Sequence, residues 1–497
     1  MTRTTDAHAA GRSALVPVVE GLTAARVLVV GDVMLDRFVS GAVDRISPEA
    51  PIPIFTVGEE TAMLGGAGNV VRNLAALGAR VTLVAARGDD AAGNEIESLL
   101  TASERVEARL VVDASRPTSI KTRYVAGPQQ VLRTDRESTE PLAADAADRA
   151  RHEFTQALGD HDVVVISDYG KGVLAAGGTE AVIAAARTAG KAILVDPKGR
   201  DYGRYARATL ITPNRRELSE ASGHNVDDDE STVAAARRLI DEHGFGAVLA
   251  TRSQAGMTLV PADGEAVHIS SEAQEVFDVS GAGDTVVAAL AAALAIGVEM
   301  DLAARLANVA AGVVVGKVGT AAVDAAELVA ALHHQDISSA EAKVKTLAEA
   351  REQVERWRRQ SIEIGFTNGC FDLLHPGHVS LLRQARAASG QLIVGLNSDA
   401  SVGRLKGPER PVQNEAARAA VLASLTSVDM VVIFAEDTPE DLIRALKPDV
   451  LVKGADYTKD QVVGGDMVEG WGGRIVLAEL EPGFSTTATI ERLGRGG

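Results

Sequence analysis

The chain has 497 residues, 46% of them hydrophobic and 24% charged, and its formal net charge is −18. This length predicts two or three domains, and the negative charge argues against nucleic acid or an anionic membrane surface as a partner. The single cysteine, Cys370, excludes a disulfide framework. Because the N-terminal sequence lacks an apolar signal-peptide core, we expect a cytoplasmic protein without a membrane segment.

Short apolar runs alternate with Ala-rich helical stretches through the first half of the chain. The runs cover residues 25–31, 162–167, 191–196, 208–212 and 246–251. This alternation predicts an α/β fold with right-handed crossovers between parallel strands. Two segments with many Val, Ile and Thr residues, 39–57 and 110–134, are expected to form a small β lid beside the sheet.

A glycine-containing turn precedes the Ala-rich segment at 286–297. Residues 276–285 read VFDVSGAGDT. Such a turn at the start of a helix leaves backbone N–H groups available to an anion, which the helix dipole also favours. Asp284 lies in the first turn and could accept a proton from an attacking hydroxyl. Taken alone, the motif fits an ordinary helix start equally well.

A second glycine cluster and two acids strengthen the case for a sugar site. Gly65 and Gly66 permit close backbone approach, and Asn69 offers both a donor and an acceptor to sugar hydroxyls. Asp32 and Asp36 follow the first predicted strand, and ligands of open α/β sheets bind beyond the carboxyl ends of strands. We therefore expect these residues to hold the sugar, with a turn or capping role as the alternative for Asp32.

The GDVMLD, GGAGN and DVSGAGDT segments together resemble the ribokinase/PfkB-type sugar kinases. The resemblance implies a ribokinase-like three-layer domain with a β lid, ATP with Mg²⁺ as donor, and Asp284 as catalytic base. It implies an anion hole formed by Gly281, Ala282 and Gly283. Members sometimes use a monovalent cation such as K⁺, and their lids often pair, so we expect a homodimer.

The segment TPNRRE resembles the part of these kinases that lines the nucleotide-phosphate site. The resemblance implies ATP-binding roles for Asn214, Arg215, Arg216 and Glu217.

The composition of the sequence changes after the first domain. Residues 336–361 are charged, free of glycine and helical in period. They predict a helical linker between a kinase domain, 1–335, and a second α/β domain, 362–497. The alternative is that this stretch belongs to the last helix of the first domain.

The second domain opens with the segment FTNGCFDLLHPGH at 366–378. His375 and His378 are spaced to face one side of a helix start, and Pro376 favours the first helical position. Two imidazoles with free N–H groups can bind a triphosphate and stabilise departing pyrophosphate. A protein-ligated zinc ion is not expected, because zinc needs three or four converging ligands.

HPGH resembles the HxGH nucleotidyltransferases, which have a Rossmann-like fold and include cytidylyl- and adenylyltransferases. The resemblance extends to RLKGPERPV at 404–412 and GFSTTATI at 483–490. For Lys453, an ordinary surface position remains the alternative. The nucleotide-binding residues that this resemblance implies are Asn368, Gly369, Cys370, Phe371, Lys406, Lys453, Ser485, Thr486 and Thr487.

The order of the two domains, with RISPEAP at 45–51 and DPKG at 196–199, resembles the bifunctional heptose kinase/adenylyltransferases. The resemblance implies phosphorylation of D-glycero-β-D-manno-heptose 7-phosphate at C1. A separate phosphatase then removes the 7-phosphate. The second domain joins AMP from ATP to the heptose 1-phosphate, which gives ADP-heptose for lipopolysaccharide core or other heptosylated products.

A substrate that already carries a phosphate needs cations near the sugar site. The candidates are Lys121, Arg123, Arg133 and Lys198. Two other functions stay open: a kinase fused to a cytidylyltransferase for glycerol phosphate or another sugar phosphate, and a nucleotide-sensing scaffold in which one domain is inactive.

Overall fold

A computed structural model of the chain describes residues 14–127, 129–271, 279–317, 321–455 and 457–479. The fold has two compact units, one spanning Gly11–Leu332 and one that begins at His333. Each unit has a sheet of mainly parallel strands with helices on both faces. The predicted fold class is confirmed.

The strands of the first unit divide between a large sheet and a small one. They are β1 (Arg26–Gly31), β2 (Val33–Ile46), β3 (Pro53–Gly66), β4 (Arg80–Arg87), β5 (Val106–Val112), β6 (Ile120–Ala126), β7 (Gln129–Arg136), β8 (Val163–Ser167), β9 (Ala192–Asp196), β10 (Leu210–Ile211), β11 (Ala247–Thr251), β12 (Met257–Pro261) and β13 (Val267–Ile269). The large sheet has nine described strands in the order β13-β12-β11-β10-β9-β8-β1-β4-β5. It is parallel from β5 to β11, and β12 and β13 are antiparallel.

Helices cover both faces of the large sheet. They are α1 (Leu15–Gly21), α2 (Ala67–Ala76), α3 (Ala91–Thr101), α4 (Ala144–Ala157), α5 (Gly178–Thr188), α6 (Arg215–Ser222), α7 (Asp229–His243), α8 (Ala282–Ala295) and α9 (Met300–Val315). Alternate strand residues face opposite layers: Val27 and Val29 pack towards α8 and α9, whereas Leu28 and Val30 pack towards α4 and α5. The sheet is therefore buried on both faces, as its continuous apolar strands require.

The lid is the four-stranded sheet β3-β2-β6-β7. β2 pairs with β3 antiparallel and with β6 in parallel, so the segments predicted at 39–57 and 110–134 do meet. One part of that prediction is wrong, because β5 joins the edge of the large sheet beside β4 and not the lid. Its residues Val106 and Ala108 pack on the main core, where an apolar strand buries more surface than a lid offers.

The second unit has a smaller sheet in the order β14-β17-β16-β15-β18-β19. Its strands are β14 (Val344–Lys345), β15 (Ile364–Gly369), β16 (Gln391–Asn397), β17 (Met430–Phe434), β18 (Val450–Gly454) and β19 (Arg474–Ala478). All of their pairings are parallel. The helices are α11 (Leu347–Arg359), α12 (Pro376–Ala387), α13 (Asp399–Lys406), α14 (Glu415–Ala423), α15 (Glu440–Leu446) and α16 (Gly465–Gly470).

The segment predicted as a linker, 336–361, is largely part of the second unit. A helix, α10 (Ala325–Lys343), contains the division between the units. The next two residues form β14 at the edge of the second sheet, and α11 buries Ala350, Val354 and Trp357 in that unit's core. Trp357 and Val354 lie on one face of an otherwise charged helix, so the charge pattern concealed a packed stripe.

No helix within the described ranges combines the length and the apolar character needed to cross a membrane.

Candidate active sites

Asp284 lies in the first turn of α8, a helix that begins directly after Gly281, whose φ of 81° is in the left-handed region. Asp284 is 6% exposed, and burial raises the pKa of its carboxyl group to about 6. The Tyr169 hydroxyl donates to Oδ1 at 2.6 Å, and the Asn69 amide donates to Oδ2 at 2.6 Å. These two donors favour the charged form, so the group can accept a proton near neutral pH.

Asn69 is fixed in one orientation by its neighbours on α2. The Arg72 guanidinium donates to Asn69 Oδ1 at 2.9 Å, which leaves the amide nitrogen of Asn69 to face Asp284. Asn73 donates to the Asn69 carbonyl at 2.9 Å and accepts from the Thr285 hydroxyl at 3.0 Å. The predicted sugar residue and the predicted base therefore belong to one buried network that ties α2 to α8.

The start of α8 has space beside Gly283 within the described part of the chain. Among those residues, a Cβ added at Gly283 would meet no atom within 4 Å. Ala282 and Gly283 form the first turn, where backbone N–H groups and the positive end of the helix dipole favour an anion. This arrangement can receive a phosphate group beside Asp284.

Asp36, Gly65 and Arg123 meet on the lid side of the site. Arg123 forms an ion pair with Asp36 at 2.7 Å, and its guanidinium lies 5.1 Å from the centroid of the Phe38 ring. A Cβ at Gly65 would lie 2.3 Å from Asp36 Oδ2, so glycine is needed for this approach. Gly66 has φ of 58°, and a Cβ there would lie 2.5 Å from the Asp32 carbonyl oxygen.

Asp32 is 1% exposed and uses its carboxylate to hold a loop. It accepts hydrogen bonds from the backbone N–H groups of Tyr169 at 2.9 Å, Lys171 at 2.9 Å and Val173 at 3.2 Å. These contacts engage both carboxylate oxygens and favour the turn-forming alternative over direct sugar binding. Asp36, whose neighbours include Arg123 and Gly65, is the better placed of the two acids for a sugar.

The predicted phosphate-binding cations occupy different surroundings. Lys121 pairs with Asp135 at 3.4 Å and Glu137 at 3.1 Å, and Arg133 pairs with Asp135 at 3.0 Å on the lid. Lys198 pairs with Glu217 at 3.2 Å. The strand order brings these two residues together, because Lys198 follows β9, which neighbours β10, and Glu217 follows β10.

The residues expected to bind ATP phosphates form a helix cap. Asn214 and Glu217 make a reciprocal capping box at the start of α6. Arg215 pairs with Asp227 at 2.8 Å and Arg216 with Glu220 at 2.6 Å. Asp196 was not among the predicted residues; burial and the nearby Asp284 and Glu217 carboxylates raise its pKa well above its usual value. Its place at the end of β9 was the available signal, since sites collect at strand ends.

In the second unit, His375 and His378 stack at the start of α12. Their ring centroids lie 3.7 Å apart with planes at 19°, and His375 is the residue that precedes the helix. Pro376 occupies the first helical position, as predicted. Burial, helped by His375 and Lys406, lowers the pKa of His378 to about 4. Burial also lowers the pKa of His375, so both imidazoles favour their neutral form.

A strained turn joins β15 to this helix. Phe371 has φ of 42°, an uncommon value for a residue with a side chain, and its ring contacts His378 edge-on at 5.1 Å. Cys370 Sγ lies 3.9 Å from Asn397 Oδ1. Asn368 Oδ1 is buried and has no hydrogen-bond partner among the described residues, so the turn presents an acceptor that a ligand could satisfy. Gly369 ends β15 beside this group.

Two buried ionic groups that the sequence analysis missed hold the turn. Asp372 accepts from the Val412 N–H at 2.7 Å and pairs with Arg410. Arg418 is 1% exposed; it donates to the Cys370 carbonyl at 2.6 Å and pairs with Asp399 at 2.6 Å. An arginine inside an otherwise apolar helix, α14, was the available signal, since a buried charge needs partners.

Some of the remaining residues predicted to bind the nucleotide lie in the described part of the chain, and others lie outside it. Lys453 donates to the Asn368 carbonyl at 3.1 Å, which brings it to the turn and away from a free surface position. Lys406 is the last residue of α13, and its positive charge helps to lower the pKa of His378. Ser485, Thr486 and Thr487 lie outside the described residues. In the described ranges, no group of three or more His, Cys, Asp or Glu side chains could hold a metal ion.

Family models match both units of the chain. Residues 24–327 match the model of the pfkB family carbohydrate kinases, and residues 366–492 match the cytidylyltransferase-like model. The chain thus combines a pfkB-type carbohydrate kinase with a cytidylyltransferase-like domain.

Relatives that match nearly the whole length of the chain identify a more specific family. A Bifunctional protein HldE of Paramagnetospirillum magneticum is 60% identical over 481 residues, 97% of this chain and 99% of that protein. A Bifunctional protein HldE of Rhodospirillum rubrum is 58% identical over 483 residues, 97% of each chain. The chain belongs to the family of Bifunctional protein HldE.

The first unit also resembles solved structures. Phosphofructokinase-2 from Escherichia coli in complex with potassium has a TM-score of 0.53 and 19% identity, covering 62% of this chain and 99% of that one. At this identity the likeness concerns the fold alone.

Proposed function

We propose that the chain carries out two steps of ADP-heptose formation. The first unit transfers the γ-phosphoryl group of ATP to the anomeric oxygen of D-glycero-β-D-manno-heptose 7-phosphate. The second unit joins AMP from ATP to D-glycero-β-D-manno-heptose 1-phosphate and releases pyrophosphate. The observation that carries the proposal is the presence of both sites in one chain that is similar along nearly its whole length to HldE proteins.

In the kinase step, Asp284 takes the proton of the anomeric hydroxyl as its oxygen attacks the γ-phosphorus and the bond to ADP breaks. Asn69 and Tyr169 keep the carboxylate in one orientation. The N–H groups at the start of α8 stabilise the charge on the transferred group. Asp36 and Asn69 hold the sugar.

Mg²⁺ enters with ATP, and the donor chemistry at the strand ends fits it. Asp196 lies near Glu217 and Asp284, and its carboxylate is costly to ionise without a nearby cation. When bound, Mg²⁺ neutralises phosphate charge and is held largely by phosphates and water. A K⁺ requirement beside the anion hole remains a prediction, tested by comparing kinase rates in potassium and in choline salts.

In the transferase step, a phosphate oxygen of heptose 1-phosphate attacks the α-phosphorus of ATP and the bond to pyrophosphate breaks. His375 and His378 donate hydrogen bonds to the phosphate oxygens as charge moves to the leaving group. Lys406 and Lys453 add positive charge near the same turn. No proton transfer is needed, because an ionised phosphate is already a nucleophile.

Arg123 is proposed to recognise the 7-phosphate of the kinase substrate. Replacing Arg123 by alanine should raise KM for heptose 7-phosphate about tenfold or more, because a charge-assisted contact of about 1.5–3 kcal/mol is lost. Because Arg123 also pairs with Asp36, kcat should fall as well, but by a smaller factor than kcat/KM. Initial-rate kinetics give both values. An unchanged KM would exclude the proposed contact.

The lid supports a proposed homodimer. One face carries Val43, Val57, Tyr124 and Leu132, and of these Val57 is 58% and Leu132 54% exposed. An apolar face of this kind is suited to a second copy of the chain. Sedimentation equilibrium should give twice the chain mass of 51.7 kDa, and substitution of Val57 by Asp should return the mass to that of the monomer.

Both reactions are proposed to occur in the cytoplasm, where ATP is available, with a separate phosphatase acting between them.

Product analysis tests the proposed function. The chain is incubated with Mg²⁺, heptose 7-phosphate and either ATP or CTP, with and without a heptose-bisphosphate phosphatase, and the products are identified by mass spectrometry. ATP alone should give the 1,7-bisphosphate, and ATP with the phosphatase should give ADP-heptose. CDP-sugar from CTP would support the cytidylyltransferase alternative, and the absence of one product would support a chain with one inactive domain.

A further inference from the structure

We propose that Tyr169 is a positioning residue of the kinase site, delivered by a loop that Asp32 clamps, and that its hydroxyl holds Asp284 in the orientation and charge state needed for proton abstraction. The inference rests on the kinase activity proposed above. It assigns Asp32 to the control of the base and not to direct contact with the sugar.

The clamp follows from the parallel pairing of β1 and β8. Gly31 is the register partner of Ser167, so Asp32 emerges beside the loop that follows β8. Its carboxylate accepts three backbone N–H groups of that loop, from Tyr169, Lys171 and Val173. A carboxylate that accepts several backbone N–H groups fixes the loop more firmly than one neutral hydrogen bond would.

A second anchor lies one residue before Tyr169. Asp168 is 2% exposed and accepts from the Tyr205 hydroxyl at 2.6 Å and the Gly170 N–H at 2.8 Å, and it pairs with Arg204. Tyr169 is therefore held on both sides along the chain. The phenol can reach only a small region, and within that region it meets Asp284 Oδ1 at 2.6 Å.

The charges around Asp284 act on its pKa together with the hydrogen bond from the Tyr169 hydroxyl. From β2, Asp36 opposes ionisation, whereas Arg72 of α2 favours it; Asp196, at the end of β9, adds a further nearby acid. Burial is the largest influence and raises the pKa of Asp284, and the hydrogen bonds from Tyr169 and Asn69 lower it. Burial and the same carboxylates raise the pKa of Tyr169 well above its usual value, so the phenol remains a donor.

The test is a pH profile of the full-length chain with Tyr169→Phe. Removing the hydroxyl should move the acid limb of kinase kcat/KM to higher pH by about one unit, because the Asp284 carboxylate loses a hydrogen bond that stabilises its charged form. At pH 6, where the wild-type base is already half protonated, this is a loss of about fivefold, and it approaches tenfold at pH 5, with a smaller loss on the alkaline plateau. Adenylyl transfer by the same polypeptide should stay unchanged, which reports a folded chain.

Two further variants separate a positioning role from a packing role. Tyr202→Phe removes another buried tyrosine hydroxyl, which has no hydrogen-bond partner in the described part of the chain, and should leave the inflection in place. Asp32→Asn loosens the clamp and should move the acid limb in the same direction as Tyr169→Phe. A raised KM for the sugar in Asp32→Asn with an unmoved inflection would show direct sugar contact and overturn the clamp.

The outcomes also distinguish this inference from the function on which it rests. A wild-type chain that makes the 1,7-bisphosphate, together with a Tyr169→Phe variant whose rate is unchanged or uniformly lower at every pH, overturns the role of Tyr169 alone. A wild-type chain that makes no phosphorylated sugar overturns both.

Discussion

Replacing Asp284 by asparagine should lower the kinase rate by about 10²- to 10⁴-fold and leave adenylyl transfer unchanged. The expected loss is that of a positioned general base. Asparagine fills the same space in the buried first turn of α8, so the change removes basicity without opening a cavity. The amide also offers an NH₂ group to the Asn69 and Tyr169 donors, which misorients the side chain.

The measurement is single-turnover formation of the 1,7-bisphosphate, with ADP-heptose formation from heptose 1-phosphate as the internal control. Asp145→Asn is a matched control, since Asp145 also lies in the first turn of a helix but has a side chain that is 74% exposed. In the wild-type chain the rate should fall as pH drops through about 6, because Asp284 then becomes protonated. A variant that keeps more than about a tenth of the rate would place the base elsewhere.

The sequence predicted the layers of the fold well, because each buried strand is a continuous apolar run between helices. It misassigned two kinds of segment. β5 is half-buried and resembles a lid strand in composition, and only its pairing with β4 assigns it to the large sheet. Residues 336–361 are so charged that they were predicted to be a linker, although three apolar side chains at helical spacing within them pack into a core.

The sites were predictable where a motif marks a helix start. Asp284 and the His375–His378 pair follow glycine- or proline-marked turns, and the structure brings each to the head of a helix. Contacts between segments distant in sequence were not predictable: Tyr169 meets Asp284 across 115 residues. Asp32 illustrates the difficulty, because a carboxylate at a strand end suits a sugar and a loop clamp equally well until its partners are known.

Replacing His378 by alanine should lower adenylyl transfer by about 10²- to 10³-fold, the range expected when one preorganised donor to a developing charge is lost. The ring is confined between His375, stacked at 3.7 Å, and the edge of Phe371. Because its pKa lies at about 4, the imidazole remains neutral at pH 7 and acts as a hydrogen-bond donor. The rate of adenylyl transfer should therefore be the same at pH 6 as at pH 7. The kinase rate, in contrast, should be reduced by about half at pH 6.

Pre-steady-state release of pyrophosphate measures this effect, and kinase activity of the same polypeptide reports its folding. His378→Asn keeps an N–H donor in a shorter side chain and should restore part of the rate, whereas exposed His152→Ala should change neither reaction. Equal losses in the alanine and asparagine variants would mean that the ring acts through its packing on Phe371 and not as a donor. Loss of the kinase reaction as well would contradict two independent sites, because each network described above closes within its own unit.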